Sequence, residues 1–435
     1  MTIQSVKRDN AQTRRGHRLA LYAGLSTLCL GGFPSLAAAQ SVFDRDTSSD
    51  VLSRSHPEYA PLGIALNSFT LYPTLGIGGT YDDNIYGLPN KTEAIVGDVK
   101  PAVRLASDWD RNEVDLTLNS EYDFYSKYSN ENSLQYGATL NGRYDIDHAS
   151  AITLTASDAL LTEPRTSPDS IAAFLHPVQY TDAQAGLTGY REFDRIRITA
   201  SFHYSNYEYD NVALPNGNVF DEKSRDETSL SEVIRADYAI SPNFAIFASV
   251  TPNQNMFDEQ PPKVPLDYNS DGVGLLTGVN FQITHLMTGE IGIGYYKQDY
   301  VDKAFGNISG LDYNAIIKYY PTQLLTLTLT AQHSVAASGI PDSPSTNVDN
   351  GNVNADYELM RNVIVSVGGG LSVYNYPGLA RTDYIYNGNA RVTYHMNRIV
   401  SLALRYGYIN QNSTGSGHGF NFDDNQIGLS ITLQR

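Results

Sequence analysis

The chain has 435 residues, a formal net charge of −17 and one cysteine. Such an acidic balance argues against nucleic acid as a partner, and a single cysteine excludes a disulfide framework within the chain. Tyrosine is in excess, with 31 Tyr against 15 Phe and 1 Trp. Its apolar ring and polar tip suit a membrane–water boundary or the wall of a polar channel.

The N-terminus has the three parts of a secretory signal. Five basic residues come first, an apolar run covers 19–36, and the alanines 37–39 before Gln40 form an A-x-A cleavage site. We therefore expect cleavage after Ala39, with residues 1–39 as the signal peptide; an uncleaved anchor is the alternative. Cys29 leaves with the signal, and the net charge of the mature chain becomes about −21.

Beyond the signal, no apolar run approaches the length of a spanning helix. Residues 40–68 are polar, contain Pro57 and Pro61 and show no period, which indicates a periplasmic N-terminal segment. From Phe69 to the C-terminus, apolar and polar residues alternate in segments broken by polar turns. The expected organisation is therefore a signal, a periplasmic segment and one repeating domain over 69–435.

The alternation predicts eighteen strands with boundaries uncertain by about 2–4 residues. They cover 69–83, 95–109, 113–126, 133–147, 150–162, 178–192, 195–208, 228–240, 243–255, 270–283, 286–299, 309–320, 323–337, 348–359, 362–376, 381–395, 399–411 and 420–434.

Two kinds of connection join these strands. Eight are tight, and nine are longer and rich in Gly, Asn, Asp, Ser and Pro. Short periplasmic turns alternating with long external loops are typical of outer-membrane barrels. An even number of strands also returns the C-terminus to the periplasmic side. The predicted fold is an all-β, transmembrane, antiparallel outer-membrane β-barrel of about 18 strands.

Strand alternation alone does not separate a membrane barrel from a soluble β-sandwich. In a sandwich the apolar face forms the core, whereas in a barrel it meets lipid and the polar face lines the lumen. The signal, the loop asymmetry and strands well over 9 residues long favour the barrel.

Six tyrosines precede tight turns by a few residues, which predicts a periplasmic aromatic girdle. They are Tyr144, Tyr190, Tyr238, Tyr320, Tyr357 and Tyr394.

The alternation assigns many charged residues to the inner face. The basic ones are Lys100, Arg104, Arg143, Arg195, Arg197, Arg235, Lys318, Arg391 and Arg405; the acidic ones are Asp115, Glu121, Asp123, Asp145, Asp237, Asp312, Asp356 and Glu358. One interpretation is a polar conduit that orients solutes. The other is that these charges pair between neighbouring strands and stiffen the wall.

Motifs for catalysis, cofactors or metals are absent from the sequence: it has no HExxH, P-loop, GxSxG or metal-type His/Cys spacing. We therefore expect no enzymatic activity, no cofactor and no metal site. Asp82, Asp83 and Asn84 stand where the first strand meets its loop, and a hydrated loop start explains them better than a cation site.

The segment RSHPEYAPLGIALNSFTLYPTLGIGGTYDDN at 54–84 resembles the entry into the barrel in the second β-barrel porin family of outer-membrane proteins. The likeness continues as a hairpin rhythm to the C-terminus, although the last strand ends Gln434–Arg435 instead of on an aromatic residue. Many members of that family are associated with capsule or exopolysaccharide production. The resemblance therefore implies a conduit for export of exopolysaccharide without enzymatic activity.

Three functions remain open at this point. The leading hypothesis is export of exopolysaccharide across the outer membrane of a Gram-negative cell. The alternatives are a general diffusion porin for small cations or sugars, and a structural barrel whose external loops bind a surface. The expected partners are outer-membrane lipid and lipopolysaccharide, with polysaccharide and periplasmic export components added if the export hypothesis holds, and no nucleic acid.

Overall fold

The computed structural model describes residues 50–435 except 55, 171–173, 262, 285, 341, 342 and 344. The predicted signal peptide and its cleavage site lie outside these residues. Among the described residues, no helix is long and apolar enough to cross a membrane.

Eighteen long strands of 13–16 residues form one sheet in the described part of the chain. In chain order they are β1 (Phe69–Asp82), β2 (Ala94–Ser107), β3 (Glu113–Tyr125), β4 (Ser133–Asp147), β5 (Ser150–Thr162), β6 (Gln179–Phe193), β7 (Ile196–Tyr209), β8 (Glu227–Ser241), β9 (Phe244–Phe257), β10 (Ser270–Ile283), β11 (Met287–Tyr300), β12 (Asn307–Thr322), β13 (Leu325–Ala337), β14 (Ser345–Met360), β15 (Val363–Asn375), β16 (Thr382–His395), β17 (Val400–Thr414) and β18 (Phe422–Gln434).

Each strand pairs antiparallel with the next, and the sheet closes on itself. The closing ladder joins β1 to β18, from Thr74 opposite Gln434 to Asp82 opposite Gln426. A three-residue strand, Ile64–Leu66, pairs with the first residues of β1, which β18 does not reach. The predicted closed antiparallel barrel of eighteen strands is therefore confirmed.

The alternation is inverted relative to a soluble protein. In β7, Arg197, Thr199 and Ser201 are no more than 7% exposed, whereas Ile198 and Phe202 are 39% and 42% exposed. The inner face is polar and the outer face is apolar, an arrangement that is stable when hydrocarbon surrounds the barrel.

The two ends of the barrel differ. At one end tight turns join the strands, and both ends of the barrel domain lie there; at the other, longer connections carry two short strands, Val212–Ala213 and Val219–Phe220, and two 3-10 turns, Ser129–Glu131 and Lys223–Arg225. We call these the tight-turn end and the long-loop end. Buried apolar clusters of the described residues, such as Val348 with Tyr374 and Ile385, lie towards the long-loop end.

The aromatic girdle is only partly as predicted. Tyr144, Tyr238, Tyr357 and Tyr394 are 40–59% exposed on the outer face. Tyr190 and Tyr320 instead lie on the inner face, where Tyr190 accompanies Arg143 and Arg197, and Tyr320 donates a hydrogen bond to Asp50. The prediction was wrong for these two because the parity along the strand, and not the distance from the turn, decides which face a side chain occupies.

Glycine allows close contacts in part of the wall. A Cβ on Gly278 would clash with the carbonyl oxygen of Ile291 and lie 2.7 Å from the Phe247 ring, whereas a Cβ on Gly351 would meet nothing within 4 Å. We expect Gly278→Ala to lower the free energy of unfolding by about 1–3 kcal/mol through overpacking.

The matched control is Gly351→Ala, which we expect to stay within about 0.5 kcal/mol of the wild type. Urea titration of the barrel folded into vesicles measures both. Equal effects of the two substitutions would contradict the packing argument.

Candidate functional site

The lumen wall is the first candidate site, because it carries the charged residues singled out in the sequence. Lys100, Arg104, Arg143, Arg197, Arg235, Lys318, Arg391, Arg405, Asp115, Glu121 and Asp123 all lie in strands at positions that alternate with the exposed apolar residues. Arg195 does not: it is exposed in the tight turn between β6 and β7. Extending the alternation past the end of the strand misplaced it.

Most of these charges meet an opposite charge from the wall. Lys100 lies 2.6 Å from Glu121 and 3.8 Å from Asp98, and Asp98 is also 3.8 Å from Arg405. Further pairs are Arg104–Asp115, Arg143–Asp145, Arg197–Glu192, Arg235–Asp237 and Arg235–Glu290.

Two residues follow a different pattern: Arg391 stands directly opposite Arg405, and Asp123 directly opposite Asp98. Three of these eight pairs join neighbouring strands, three lie within one strand, and two, Asp98–Arg405 and Arg235–Glu290, join strands further apart. The contacts between strands fit the wall-stiffening interpretation; a role in selectivity stays a prediction for each residue.

A segment before the barrel lines the lumen at the tight-turn end. We call residues 50–61, of which 55 is not described, the N-terminal strap. Asp50 accepts hydrogen bonds from Lys318 (2.6 Å) and Tyr320 (2.7 Å), and the fully buried Val51 donates its backbone N–H to Thr326. The strap therefore begins inside the barrel, against β12 and β13.

The strap then follows the rim of the barrel towards β1. Arg54 binds Glu358 of β14 at 2.6 Å, the Pro57 carbonyl accepts from Arg398, and the Tyr59 carbonyl accepts from Gln434 of β18. It covers part of the mouth at the tight-turn end. No local signal in the sequence marks these contacts, because their partners are more than 260 residues away.

Two of the three ion pairs of the strap differ strongly in burial. Glu358 is 5% exposed beside Arg54, whereas Arg361 and Glu58 are 73% and 46% exposed and 3.4 Å apart. Removing Arg54 leaves a buried carboxylate without its cation, so we expect Arg54→Ala to cost about 1–3 kcal/mol and to expose the strap to protease.

Arg361→Ala is the control. Because exposed ion pairs contribute little, it should leave both stability and proteolysis unchanged. Urea titration and limited chymotrypsin digestion of the folded barrel measure the two effects, because both variants keep the chymotrypsin sites Leu52 and Tyr59 of the strap. An intact strap in Arg54→Ala would refute the anchoring role.

At the long-loop end, the connection between β5 and β6 reaches across the barrel. We call its residues 163–178 the constriction loop; 171–173 are not described. Its Arg165 forms two 2.9 Å hydrogen bonds to Glu131 in the β3–β4 connection, and both side chains are 5% exposed. The same guanidinium lies 5.9 Å from the centre of the Tyr86 ring, in the β1–β2 connection.

Glu163 makes the second anchor of the constriction loop. It accepts hydrogen bonds from Arg225 at 3.1 and 3.2 Å, and Arg225 also contacts Glu222 and lies 4.0 Å from the centre of the Tyr209 ring. Burial opposes the positive charge of Arg225, but the combined attraction of Glu163, Tyr209 and Asp169 outweighs it and raises the pKa of the guanidinium well above its ordinary value. The loop is thus fixed to the β7–β8 connection.

The third anchor lies on the far side of the barrel. Arg381, in the β15–β16 connection, donates to the Pro168 carbonyl at 3.2 Å and is held by Asp383 at 2.6 Å. Gly339, between β13 and β14, packs against Asp169. The constriction loop therefore meets connections from opposite sides of the barrel and crosses its mouth.

Asp169 is buried at the centre of this crossing, with one carboxylate oxygen, Oδ1, lacking a hydrogen-bond partner. Burial raises its pKa from 3.8 to about 6, against the opposing attraction of Arg225 and Arg381 and with a contribution from Glu163. Asp169 binds a proton more tightly in the closed loop than it would in a hydrated, open loop. Protonation at low pH therefore favours the closed loop. That preference is lost as the pH rises from about 4 to about 6.

We therefore expect conductance to rise as the pH increases through about 6. Asp169→Asn should remove this step and stay at the low-pH conductance, because the amide is neutral at every pH. Asp258→Asn, an exposed loop carboxylate, should keep the wild-type profile. Planar-bilayer conductance between pH 4 and 8 is the measurement, and an unchanged step in Asp169→Asn would exclude Asp169 as its source.

Beneath the constriction loop the lumen contains a cavity of about 340 Å³. Its lining is rich in amide, imidazole and phenol groups, including Gln184, His203, Asn253, Tyr296, Asn314 and Gln332. Such groups hydrogen-bond to hydroxyl-rich solutes, and the volume is in the range of small-molecule sites. Within the described ranges, no three His, Cys, Asp or Glu side chains come together as a metal site.

Sequence reasoning missed the residues at the mouth. Glu131, Glu163, Arg165, Asp169, Arg225 and Arg381 lie in the longer connections, of which only the length and polar composition were visible. The length of the 163–177 loop was the one available signal, since long loops are often functional.

One protein family matches this chain over nearly all of its described length. Residues 56–435 match the family described as "Putative beta-barrel porin 2". Among curated proteins none matches this chain.

Similar solved structures include two outer-membrane proteins of Pseudomonas aeruginosa and one of Acinetobacter baumannii. The first, opdK, has 11% identity, a TM-score of 0.44, and coverage of 84% of this chain and 99% of its own. The second, OpdL, has 12% identity and a TM-score of 0.42, and the match covers 85% of this chain and 99% of OpdL. The siderophore receptor PiuA has 11% identity and a TM-score of 0.45, and the match covers 86% of this chain and 82% of PiuA. At TM-scores below 0.5 the likeness does not extend to function.

Proposed function

We propose, from the premise that the chain belongs to the family "Putative beta-barrel porin 2", that it is a non-catalytic diffusion porin for small cations and small hydroxylated solutes such as sugars. The chain is an outer-membrane β-barrel. Tight turns on the periplasmic side and long loops outside are the rule for such barrels, so the constriction loop lies at the external mouth and the N-terminal strap at the periplasmic one.

The crossing of the external mouth by the constriction loop is the observation that carries this proposal. Arg165 fixes the loop on one side, and Arg381 holds Pro168 on the other. A loop anchored in this way divides the mouth into small openings. Small solutes fit such openings, whereas a polysaccharide chain needs a continuous wide passage. The export function implied by the family resemblance is therefore less well supported than its diffusion-porin alternative.

The charges of the cavity favour cations. Its lining includes four carboxylates, Glu163, Asp169, Glu227 and Asp312, and two basic groups, Arg225 and Lys297. Fixed charge of one sign in a narrow passage concentrates ions of the opposite sign.

We also propose that outer-membrane lipid and lipopolysaccharide bind the outside of the wall. A signal cleaved after Ala39 fits this location.

A planar bilayer recording of the purified barrel tests the channel. We expect open-channel current and, in a salt gradient, a reversal potential on the cation-selective side. Asp312→Asn should reduce the cation-to-anion permeability ratio, because it removes a carboxylate from the cavity. Asp210→Asn, an exposed external carboxylate, should leave the ratio near the wild-type value.

Liposome swelling separates the diffusion porin from the export conduit. Pentoses and hexoses should enter much faster than trisaccharides, because the mouth is divided. A barrel that is electrically silent and excludes all sugars, or one that admits oligosaccharides without a size limit, would overturn the proposal.

A further inference from the structure

The longest stretch of the described wall without a ladder lies between β12 and β13. The ladder between β12 and β13 ends at Asn314 opposite Gln332. On their other edges the same strands stay paired further out: β12 with β11 as far as Asn307, and β13 with β14 as far as Ala337. The facing edges of 307–313 and 333–337 therefore have no ladder between them. We call this gap the lateral slot.

The internal cavity extends into the lateral slot. In a paired wall only alternate residues face the lumen. Here the cavity is lined by three consecutive residues of β12, 312–314, and by six consecutive residues of β13, 332–337. Strands paired on both edges contribute up to three consecutive lining residues, such as 203–205 of β7, whereas β13 contributes six. The cavity therefore reaches the edge of β13 and meets the slot.

Side chains from both faces of the wall meet in the slot. Tyr296 is on the inner face of β11, because its neighbour Tyr295 is 52% exposed outside. His333 continues the outer face of β13, where Leu329 is 43% exposed and the ladder to β14 is uninterrupted. The two rings nevertheless stack at 4.7 Å. The outer end of the β13–β14 hairpin therefore leans into the mouth, and the slot brings the two faces together.

Hydrogen bonds hold this closure. Tyr296 donates its hydroxyl to Asn347 at 3.2 Å, and Asp349 accepts from Tyr313 at 3.0 Å and pairs with Nδ1 of His333 at 2.8 Å. The side chain of His333 is 9% exposed, and its Nε2 has no hydrogen-bond partner. A buried imidazole nitrogen at the edge of a cavity is available to a solute hydroxyl.

The slot opens at the level of the outer headgroups. The paired part of β12, residues 314–322, has nine residues, which span about 23 Å along the membrane normal at ~3.3 Å per residue and a tilt of ~40°. The apolar band of such barrels is about 25 Å tall. The unpaired edges consequently lie where water and headgroups satisfy their backbone groups, at little cost compared with the hydrocarbon region.

We propose that the lateral slot between β12 and β13 is a gated side entrance, with Tyr296 as its closing side chain, through which small hydroxylated solutes pass between the outer headgroup layer and the cavity. It supplements the mouth that the constriction loop divides. His333 Nε2 offers the entering solute its first hydrogen bond. The inference rests on the proposed porin function and adds the route to it.

Substitution of Tyr296 tests the gate. Tyr296→Phe keeps the ring and removes the hydrogen bond to Asn347, which changes the closed-to-open ratio about fivefold. We expect glucose entry in liposome swelling to rise up to about fivefold in Tyr296→Phe, and further in Tyr296→Ala. Tyr295→Ala, which removes a neighbouring tyrosine from the lipid face, should leave entry unchanged.

Cross-linking separates the slot from a simple widening of the lumen. Leu311→Cys and Val335→Cys place thiols on facing positions across the slot, and the sequence has no other cysteine beyond Cys29 in the predicted signal. In the Tyr296→Ala background, a short bifunctional thiol reagent should return glucose entry to the wild-type rate. The control pair is Ile317→Cys with Leu329→Cys, directly opposed in the paired part of the same strands, where cross-linking should have no effect.

The outcomes separate a failure of the porin function from a failure of the side entrance. If no variant conducts ions or passes sugar, the porin function itself fails. If ions and sugars pass but the Tyr296 variants match the wild type, or the 311–335 cross-link changes nothing in Tyr296→Ala, the side entrance is refuted and the porin function stands.

Discussion

Backbone hydrogen bonding inside hydrocarbon is the constraint on which the rest of this structure depends. Without water, every N–H and C=O of the spanning wall needs a partner in the wall, and a closed sheet supplies them all. The closure between β1 and β18 begins only at Thr74, and the edge of β1 below it is covered by Ile64–Leu66, with Ile64 opposite Leu71. The chain thus extends the wall with residues from outside the barrel strands. Shorter interruptions of the ladder lie beside Pro101, between β2 and β3, and beside Pro252, between β8 and β9. The unladdered edges of 307–313 and 333–337 are the longest in the described wall.

The same low-dielectric wall governs its charges. A charge on the inner face is tolerated when a partner compensates its lost hydration. Arg235, for example, is held between Asp237 and Glu290 and lies 3.9 Å from the centre of the Phe247 ring. Charges that neutralise each other in this way contribute little net field along the passage. In the proposed porin, selectivity then depends on groups that the wall does not neutralise, such as Asp312 in the cavity beneath the constriction loop.

The sequence predicted the wall because its signals are local. A period of two residues and polar turns locate the strands, and strands such as β3, predicted at 113–126, are found at Glu113–Tyr125. Contacts between distant segments have no such signal. Nothing near Asp50 points to Lys318, and nothing near Arg381 points to Pro168, although these contacts shape the two mouths. The misplaced Arg195 shows the other limit, since a periodic pattern does not mark where its strand ends.

The wall and the mouth also differ in what opening them costs. Separating two paired strands breaks a row of backbone hydrogen bonds in a region where water cannot replace them. Releasing the constriction loop breaks a few ion pairs, such as Arg165–Glu131, beside water that can hydrate both partners. Motions that control passage therefore belong to the loops and to the lateral slot, where the ladder is already absent and one tyrosine and its contacts keep the gap closed. The rigidity of the rest of the barrel confines the change to these two places.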